Sequence, residues 1–470
     1  MDFETFLTVL CEYIWYIAFV FLVGFGLWYT LRFKGLQLRS LRTMVDRTFS
    51  RNRDGEALSS FETFCISMGS RIGVGNIAGI AVAIMAGGPG AVFWMWVFAI
   101  IGSMTAFMES TMAQLFKERK SDGTFFGSPA YCAEKGLGSR KLGVLMASLT
   151  LIMFTVGFAG VDVACVTSAI MGEVSFEGDS LIIPLILSVL TFVVIIGGMG
   201  MVAKASSAIV PLMAFGWIVT AVVLLSFNLD GIAGAFGMIF EYAFTVPAAI
   251  GGGIGTVVLT GLRRGVFSNE AGLGTVSNVS GSATVKHPVD QGFVQSFGVL
   301  LDTLLFCTLT ALVILSYGTF DQIVGLGLDD VQLVQYVAEQ TPVGAVGSLL
   351  ITVFMIVFAY TGSISAYAVS ESCLRYVRDD RRLVRTLQLV FPVCMFTVGI
   401  GGVSLVFALC DVIMAVVAVV NIYIMIRLRG RIVETYMDWR RQRSEGIREP
   451  EFDASVLTDC TGVSFWRRGD

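Results

Sequence analysis

Residues 69–90, GSRIGVGNIAGIAVAIMAGGPG, lie inside a long apolar stretch, yet they carry an arginine, an asparagine and seven glycines. Glycine costs a helix interior about 1 kcal/mol relative to alanine. Irregular backbone at membrane depth persists only where it faces protein or a water-filled cavity. Gly69, Gly73, Gly75 and Gly79 therefore predict a helix that is interrupted inside the protein. Close packing of neighbouring helices is the other use of such glycines. A second cluster, Pro247 followed by Gly251, Gly252, Gly253 and Gly255, falls in a later apolar stretch. Interrupted helices at corresponding places in two halves of a chain point to a secondary transporter, whose exposed half-helix ends hold substrate and ion.

The composition fits that setting. The 470 residues are 55% hydrophobic and 14% charged, whereas soluble domains are roughly 25% charged. A membrane span needs about 20 apolar residues. Eleven stretches qualify, near 13–31, 61–86, 90–116, 142–170, 181–198, 206–226, 243–262, 291–316, 345–372, 384–400 and 404–426. With the N-terminus outside, the inner segments are 32–60, 117–141, 199–205, 263–290, 373–385 and the tail from 427. They hold 31 of the 32 Lys and Arg residues. Basic residues concentrate in cytoplasmic loops, so the segregation predicts an outer N-terminus and a cytoplasmic C-terminus. The outer segments carry acids such as Glu173, Glu177, Asp321, Asp329 and Asp330. Arg71 is the one base that this scheme leaves at membrane depth. The acidic N-terminus lacks the basic region of a cleaved leader, so the first span is expected to be retained. The nine cysteines show no CxxC pair and read as small hydrophobes in apolar runs.

Each glycine cluster opens a five-helix unit, helices 2–6 and 7–11. An odd number of spans inverts the second unit relative to the first. The expected fold is all-α and polytopic: 11 transmembrane helices, with an inverted repeat over about 61–226 and 243–426 behind an extra first helix. One transmembrane domain covers 1–430. A polar tail, 431–470, reads as solvated or facing lipid headgroups. Gly252 and Gly253 are then the half of a substrate site that faces the Gly73–Asn76 segment.

GVGNIAGIAVAIMAGGPGAVFWMW at 73–96 resembles the alanine/glycine:cation symporter family, the sodium:alanine symporters. So do GSPAYCAEKGLG at 127–138, RRGVFSNEAGLG at 263–274, and KHPVDQG at 286–292 leading to VLLDT at 299–303. The resemblance runs from about residue 10 to 430. It implies a LeuT-type five-plus-five inverted repeat and sodium-driven import of a small amino acid such as alanine or glycine, with no cofactor beyond the transported sodium. It also implies that Gly73, Val74, Gly75 and Asn76 hold the substrate, with Val74 where the family carries threonine. Asp162, in AGVDVAC, takes the place of a family glutamine, and Ala366, in AYTGSISA, that of a tryptophan. Sodium-binding candidates are Gly69, Ile72, Thr361 and Ser363. Gly362 stands where the family has a second hydroxyl, for which Ser363 or Ser365 can substitute. A roomier site with a new carboxylate suits a substrate larger or more cationic than alanine.

An arginine at depth must pair or face water. Asp162 and Asp302 are both candidate partners of Arg71, in a structural ion pair or beside the transport path. Asp302 lies mid-helix and is either that partner or a coupling residue. Asn269 and Glu270, in FSNEAG, read as a turn that satisfies loose backbone groups or as a gate. Glu109, Glu371 and Asp411 read as capping or snorkelling acids. Proton coupling through Asp162 or Asp302 is an alternative to sodium. An amino-acid sensor that keeps the transporter fold is another. Enzymatic chemistry at depth needs a nucleophile and a base, and the one histidine, His287, sits in a loop before Pro288. A channel fits an inverted repeat less well than alternating access does. No strand precedes the GxG, so it is not a phosphate loop, and no nucleic-acid motif is present. The expected partners are a small amino acid and the lipid bilayer of a plasma membrane. The sequence leaves the oligomeric state open.

Overall fold

The computed structural model of the chain describes residues 3–50, 58–120, 123–245 and 253–467. Helices dominate it. In chain order they are α1 (Phe3–Arg32), α2 (Ser60–Arg71), α3 (Ala78–Gly87), α4 (Gly90–Leu115) and α5 (Arg140–Glu173). There follow α6 (Asp179–Ile195), α7 (Gly198–Ser226), α8 (Leu229–Tyr242), α9 (Ile254–Asn269) and α10 (Thr275–Ser280). The last five are α11 (Pro288–Leu315), α12 (Val331–Glu339), α13 (Ala345–Val377), α14 (Arg381–Gly399) and α15 (Val403–Ser444). A two-residue strand pair, Glu118–Arg119 with Phe125–Phe126, follows α4.

Eight helices among the described residues are long and apolar enough to cross a membrane: α1, α4, α5, α7, α11, α13, α14 and α15. Large apolar side chains stay exposed on the bundle's outside, among them Val20, Trp28 and Leu31 on α1, Leu185 and Val193 on α6, and Leu212 and Phe215 on α7. A lipid-facing surface requires this. Inside, α4 packs along both α11 and α9, and α1 lies against α15.

Local sequence explains the central breaks in helicity. Ser59 and Glu62 start α2 with reciprocal bonds: Glu62 N–H donates to Ser59 Oγ (3.2 Å) and Ser59 N–H to Glu62 Oε2 (2.8 Å). Such a box satisfies two otherwise orphaned donors. Gly88 (φ 73°) turns the chain between α3 and α4. Gly90 cannot carry a side chain, because a Cβ there would strike the backbone of Tyr242 and Ala243 at the end of α8. Trp94 Nε1 donates to the Ala243 carbonyl (2.9 Å) and pins the same junction.

Three expected spans take other forms, the first of them as its glycines predict. The stretch 61–86 divides into α2 and α3, and 181–198 becomes the 17-residue α6. The seventh, expected over 243–262, is displaced. Helix α8 ends at Tyr242, and the apolar helix beyond it is α9, running to Asn269. Arg263 and Arg264 therefore belong to a helix and not to an inner loop. Arg264 is buried and ion-paired with Asp411 of α15, so Arg71 is not the one deeply placed arginine.

The tail is not simply solvated. Helix α15 continues to Ser444, and the chain then folds back. Phe452 N–H donates to the Lys286 carbonyl (3.0 Å), and Trp466 Nε1 donates to the Gln114 carbonyl (2.8 Å). The buried Lys117 ammonium lies 4.5–4.7 Å from the ring centres of Phe125, Phe465 and Trp466, a favourable cation–π arrangement. Trp466→Ala should release this segment, since truncating a buried aromatic costs about 3–5 kcal/mol. Hydrogen exchange measured by mass spectrometry is expected to rise at least tenfold over 450–466 and to stay unchanged over 90–115. Equal protection of 450–466 in both proteins would show that Trp466 does not hold the tail.

Candidate functional site

Two chain interruptions build the centre of the molecule. The first separates α2 from α3. Ile72 leaves the helix, Val74–Asn76 form one tight turn, and Ala78 restarts it. Gly73 N–H bonds to the Arg71 carbonyl (2.8 Å) and Asn76 N–H to the Gly73 carbonyl (3.1 Å). Residues 71–80 are all buried. The second separates α9 from α10. Glu270 (φ 57°), Gly272 (φ 85°) and Gly274 (φ 74°) take left-handed conformations there. Glycine adopts them at no steric cost; Glu270 is held by its side chain. Its carboxylate accepts from Ser70 Oγ at the end of α2 and from Thr275 Oγ1 of α10 (2.5 Å).

This break lies C-terminal to the glycine cluster expected to supply the second half of the site. Gly253 lies at the exposed start of α9, with open space around it. Gly252 falls outside the described residues. The interruption comes from SNEAGLG, 268–274, and it faces the first one. A Cβ on Gly75 would lie 3.0 Å from the Phe267 ring.

Charged groups at depth satisfy the backbone that the breaks set free. Arg71 Nε donates to the Asn269 carbonyl (2.9 Å), and Nη1 to the Gln295 carbonyl (3.2 Å) and Oε1 (3.3 Å). Neither Asp162 nor Asp302 is among its bonding partners. Asn269 is the last residue of α9, so the guanidinium sits where a helix presents orphan carbonyls and a partial negative charge. Glu109 of α4 does the converse. Its Oε2 accepts from Gly274 N–H (2.9 Å) at the head of α10 and from Asn421 Nδ2 (2.9 Å). Asn421 Nδ2 also reaches the Gly272 carbonyl (2.9 Å). Asn269 closes the turn, accepting from Ala271 N–H (3.0 Å) and donating to Thr303 Oγ1 (2.9 Å). Asn269 thus satisfies a backbone group of the turn, whereas the Glu270 carboxylate is held by side-chain hydroxyls. Glu371 pairs with Arg375 one turn away (2.7 Å).

The polar side chains of the first break meet α9 and α11. Asn76 Nδ2 donates to Asp302 Oδ1 (2.7 Å). Ser268 Oγ lies 2.8 Å from Asn76 Oδ1 and 2.6 Å from Asp302 Oδ2. Asp302 opens a wide turn, Asp302–Cys307, with i→i+5 bonding inside α11, a feature frequent at functional sites. On the opposite side, Asp162 of α5 accepts from Ser363 Oγ (3.1 Å), and its carboxylate lies against Gly362. Gly69 abuts Thr361 and Ser365: a Cβ on it would be 2.7 Å from Ser365 Oγ and 3.4 Å from the Thr361 carbonyl. Thr361 Oγ1 bonds to carbonyls of its own helix. Thus Gly69 and Thr361 adjoin, Ser363 is turned to Asp162, and Ile72, just past the end of α2, and Ala366 of α13 are buried.

Aromatic residues missed in the sequence complete the site. Phe267 stacks on Phe158 (4.9 Å) and meets Phe407 at a tilt (5.0 Å) beside Gly75. Beyond Phe407 lies a cavity of about 500 Å³ lined by Arg263, Arg264, Asp329, Asp330 and Asp411. The block RRGVFSNEAGLG held the signal, but its charges placed it in a loop.

Two facing helix interruptions inside an apolar bundle define a secondary transporter of the LeuT-like type. The crystal structure of MhsT in complex with L-phenylalanine has the same fold, with a TM-score of 0.57 at 15% identity, over 88% of this chain and 95% of that one. The chain belongs to the sodium:alanine symporter family, which matches residues 1–454. It is 32% identical to the amino-acid carrier protein AlsT of Bacillus subtilis, over 99% of this chain and 98% of that protein. It is 36% identical to the probable sodium/glutamine symporter GlnT of the same organism, over 96% and 93%. It is 32% identical to the sodium/alanine symporter AgcS of Methanococcus maripaludis, over 92% and 96%.

Replacing Arg71 by methionine removes the donors that reach the Asn269 and Gln295 oxygens. Each buried group left unpaired costs about 1–3 kcal/mol. Arg71→Met should therefore lower the melting temperature of the detergent-solubilised protein. Arg71→Lys should recover part of the loss, since one ammonium lacks the fork that spans several acceptors. Equal melting of Arg71→Met and the parent would refute the capping role.

Proposed function

We propose that the protein imports a small amino acid of the alanine/glycine class, driven by a sodium gradient through alternating access. One observation carries the reading: two interrupted helices meet at the centre, and Asn76 of the first is fixed by Asp302 and Ser268 from two other helices. Backbone groups at such breaks are what transporters use to bind substrate and ion. The substrate lies along Gly73, Val74, Gly75 and Asn76, between Asp162 and Ala366. Sodium lies beside Gly69, Ile72 and Thr361. The small Ala366 favours a substrate larger than alanine, and the similarity to a probable sodium/glutamine symporter supports that choice.

The 500 Å³ cavity supports alternating access. The Arg264–Asp411 pair and Phe407 line it, and Phe407 packs on Phe267, which lies beside Gly75. Eleven spans, N-terminus outside and C-terminus cytoplasmic, accord with the basic segments other than Arg263–Arg264. The two five-helix units then begin with α2–α3 and with α9–α10, in a bacterial inner membrane.

Uptake of labelled glycine, alanine, glutamine and lysine into proteoliposomes tests this, with and without an inward sodium gradient. Concentrative uptake that requires sodium is the expected result, with glutamine at least equal to alanine. Uptake that follows a pH gradient alone would replace sodium by protons. Saturable binding without uptake would make the protein a sensor.

A further inference from the structure

The acids buried in this bundle are well supplied with partners, with one exception. Asp302 receives Asn76, Ser268 and Thr303. Glu109 receives Gly274 and Asn421, and Glu270 receives Ser70 and Thr275. Asp411 has Arg264, and Asp290 has Arg47. Asp162 is 5% exposed, and among the described residues it receives one hydrogen bond, from Ser363 Oγ at 3.1 Å, and no ion pair. The titratable groups around it are Cys165 on its own helix, Cys410 of α15 and Glu270 at the second break. None of these carries a positive charge. An ionised carboxylate is very costly in such a place unless something neutralises it.

The position is also specific. Asp162 lies where α5 meets α13, and both helices touch the Val74–Asn76 turn. A Cβ on Gly362 would come within 2.7 Å of Asp162 Oδ2 and 3.0 Å of Oδ1. The missing side chain is therefore what lets the carboxylate reach the α13 backbone. One turn further along α13, Ser365 Oγ is buried without a partner and borders Gly69 of α2. An uncompensated acid and an unpaired hydroxyl thus stand on successive turns beside the first break.

We propose that Asp162 is the counter-charge of the coupling cation, a monovalent ion held between its carboxylate and the hydroxyls of α13. This rests on the symport reading. Sodium and the proton share the required chemistry: either makes the site neutral, so that it can be enclosed in the bundle and turned from one side to the other. Ser363 orients the carboxylate, and Gly362 admits it.

The test uses the full chain in detergent, without amino acid. Melting is followed by intrinsic fluorescence in NaCl against choline chloride at one ionic strength and pH 8. If sodium is the ion, it stabilises the parent protein saturably. Asp162→Asn should weaken that response at least tenfold, and Gly362→Ala, whose methyl displaces the carboxylate, several-fold. Ser363→Ala supplies a milder variant should Asp162→Asn fail to fold, and is also expected to weaken sodium. If the proton is the ion, the parent shows no sodium response, its uptake into proteoliposomes follows an inward pH gradient, and Asp162→Asn abolishes that dependence. A folded Asp162→Asn protein with the parent's cation dependence overturns the assignment and leaves the symport reading standing, even if amino-acid affinity falls. A parent protein with no cation-driven uptake at all is the separate failure of the symport reading.

Discussion

Backbone N–H and C=O groups freed inside an apolar bundle have to find partners in the protein, because lipid offers none. This constraint organises the centre of the molecule. The second break alone requires Arg71 at the end of α9, Glu109 at the head of α10, and Asn421 and Asn269 around the turn. Each of these residues would be a liability elsewhere at this depth. Here each replaces part of a hydrogen-bond ladder, and the two charged ones sit at the helix ends whose dipoles favour their sign.

The same bonds join the two breaks to the helices around them. Ser70 and Glu270 connect the two breaks directly, and Arg71 ties the first to α9 and α11. Asn76, Ser268 and Asp302 connect the first break to α9 and α11 by side chains. The links gather at the breaks, while most of the remaining packing is apolar. Phe407 and the Arg264–Asp411 pair belong both to the cavity wall and to the packing around Phe267. Asp162 differs in kind, since its charge is not consumed by the scaffold.

Much of this was legible in the chain. The glycines around Asn76 foretold the first interruption, because few other residues make an apolar stretch so poor a helix. The break at 268–274 was not foreseen. Pro247 and Gly251–Gly253 look like a break by composition, whereas SNEAGLG follows two arginines that read as the edge of a membrane span. What hides the true break is a pairing across 147 residues, Arg264 with Asp411, which lets an arginine enter the bundle. Arg71 was recognised as a buried charge in need of partners. That the partners are carbonyls of Asn269 and Gln295, and not an acid, depends on where α9 stops.

The sequence by itself determined the membrane environment and the first interruption, which rest on apolar length, charge placement and local helix propensity, and the family, which rests on the resemblance of its motif blocks. The tertiary structure alone decided which residues oppose Gly75 and Asn76, which acids are already satisfied, and that the polar tail docks through Trp466. The physical reason is common to all three. Compensation of a buried polar group depends on neighbours distant in sequence, and neither composition nor periodicity along the chain records them.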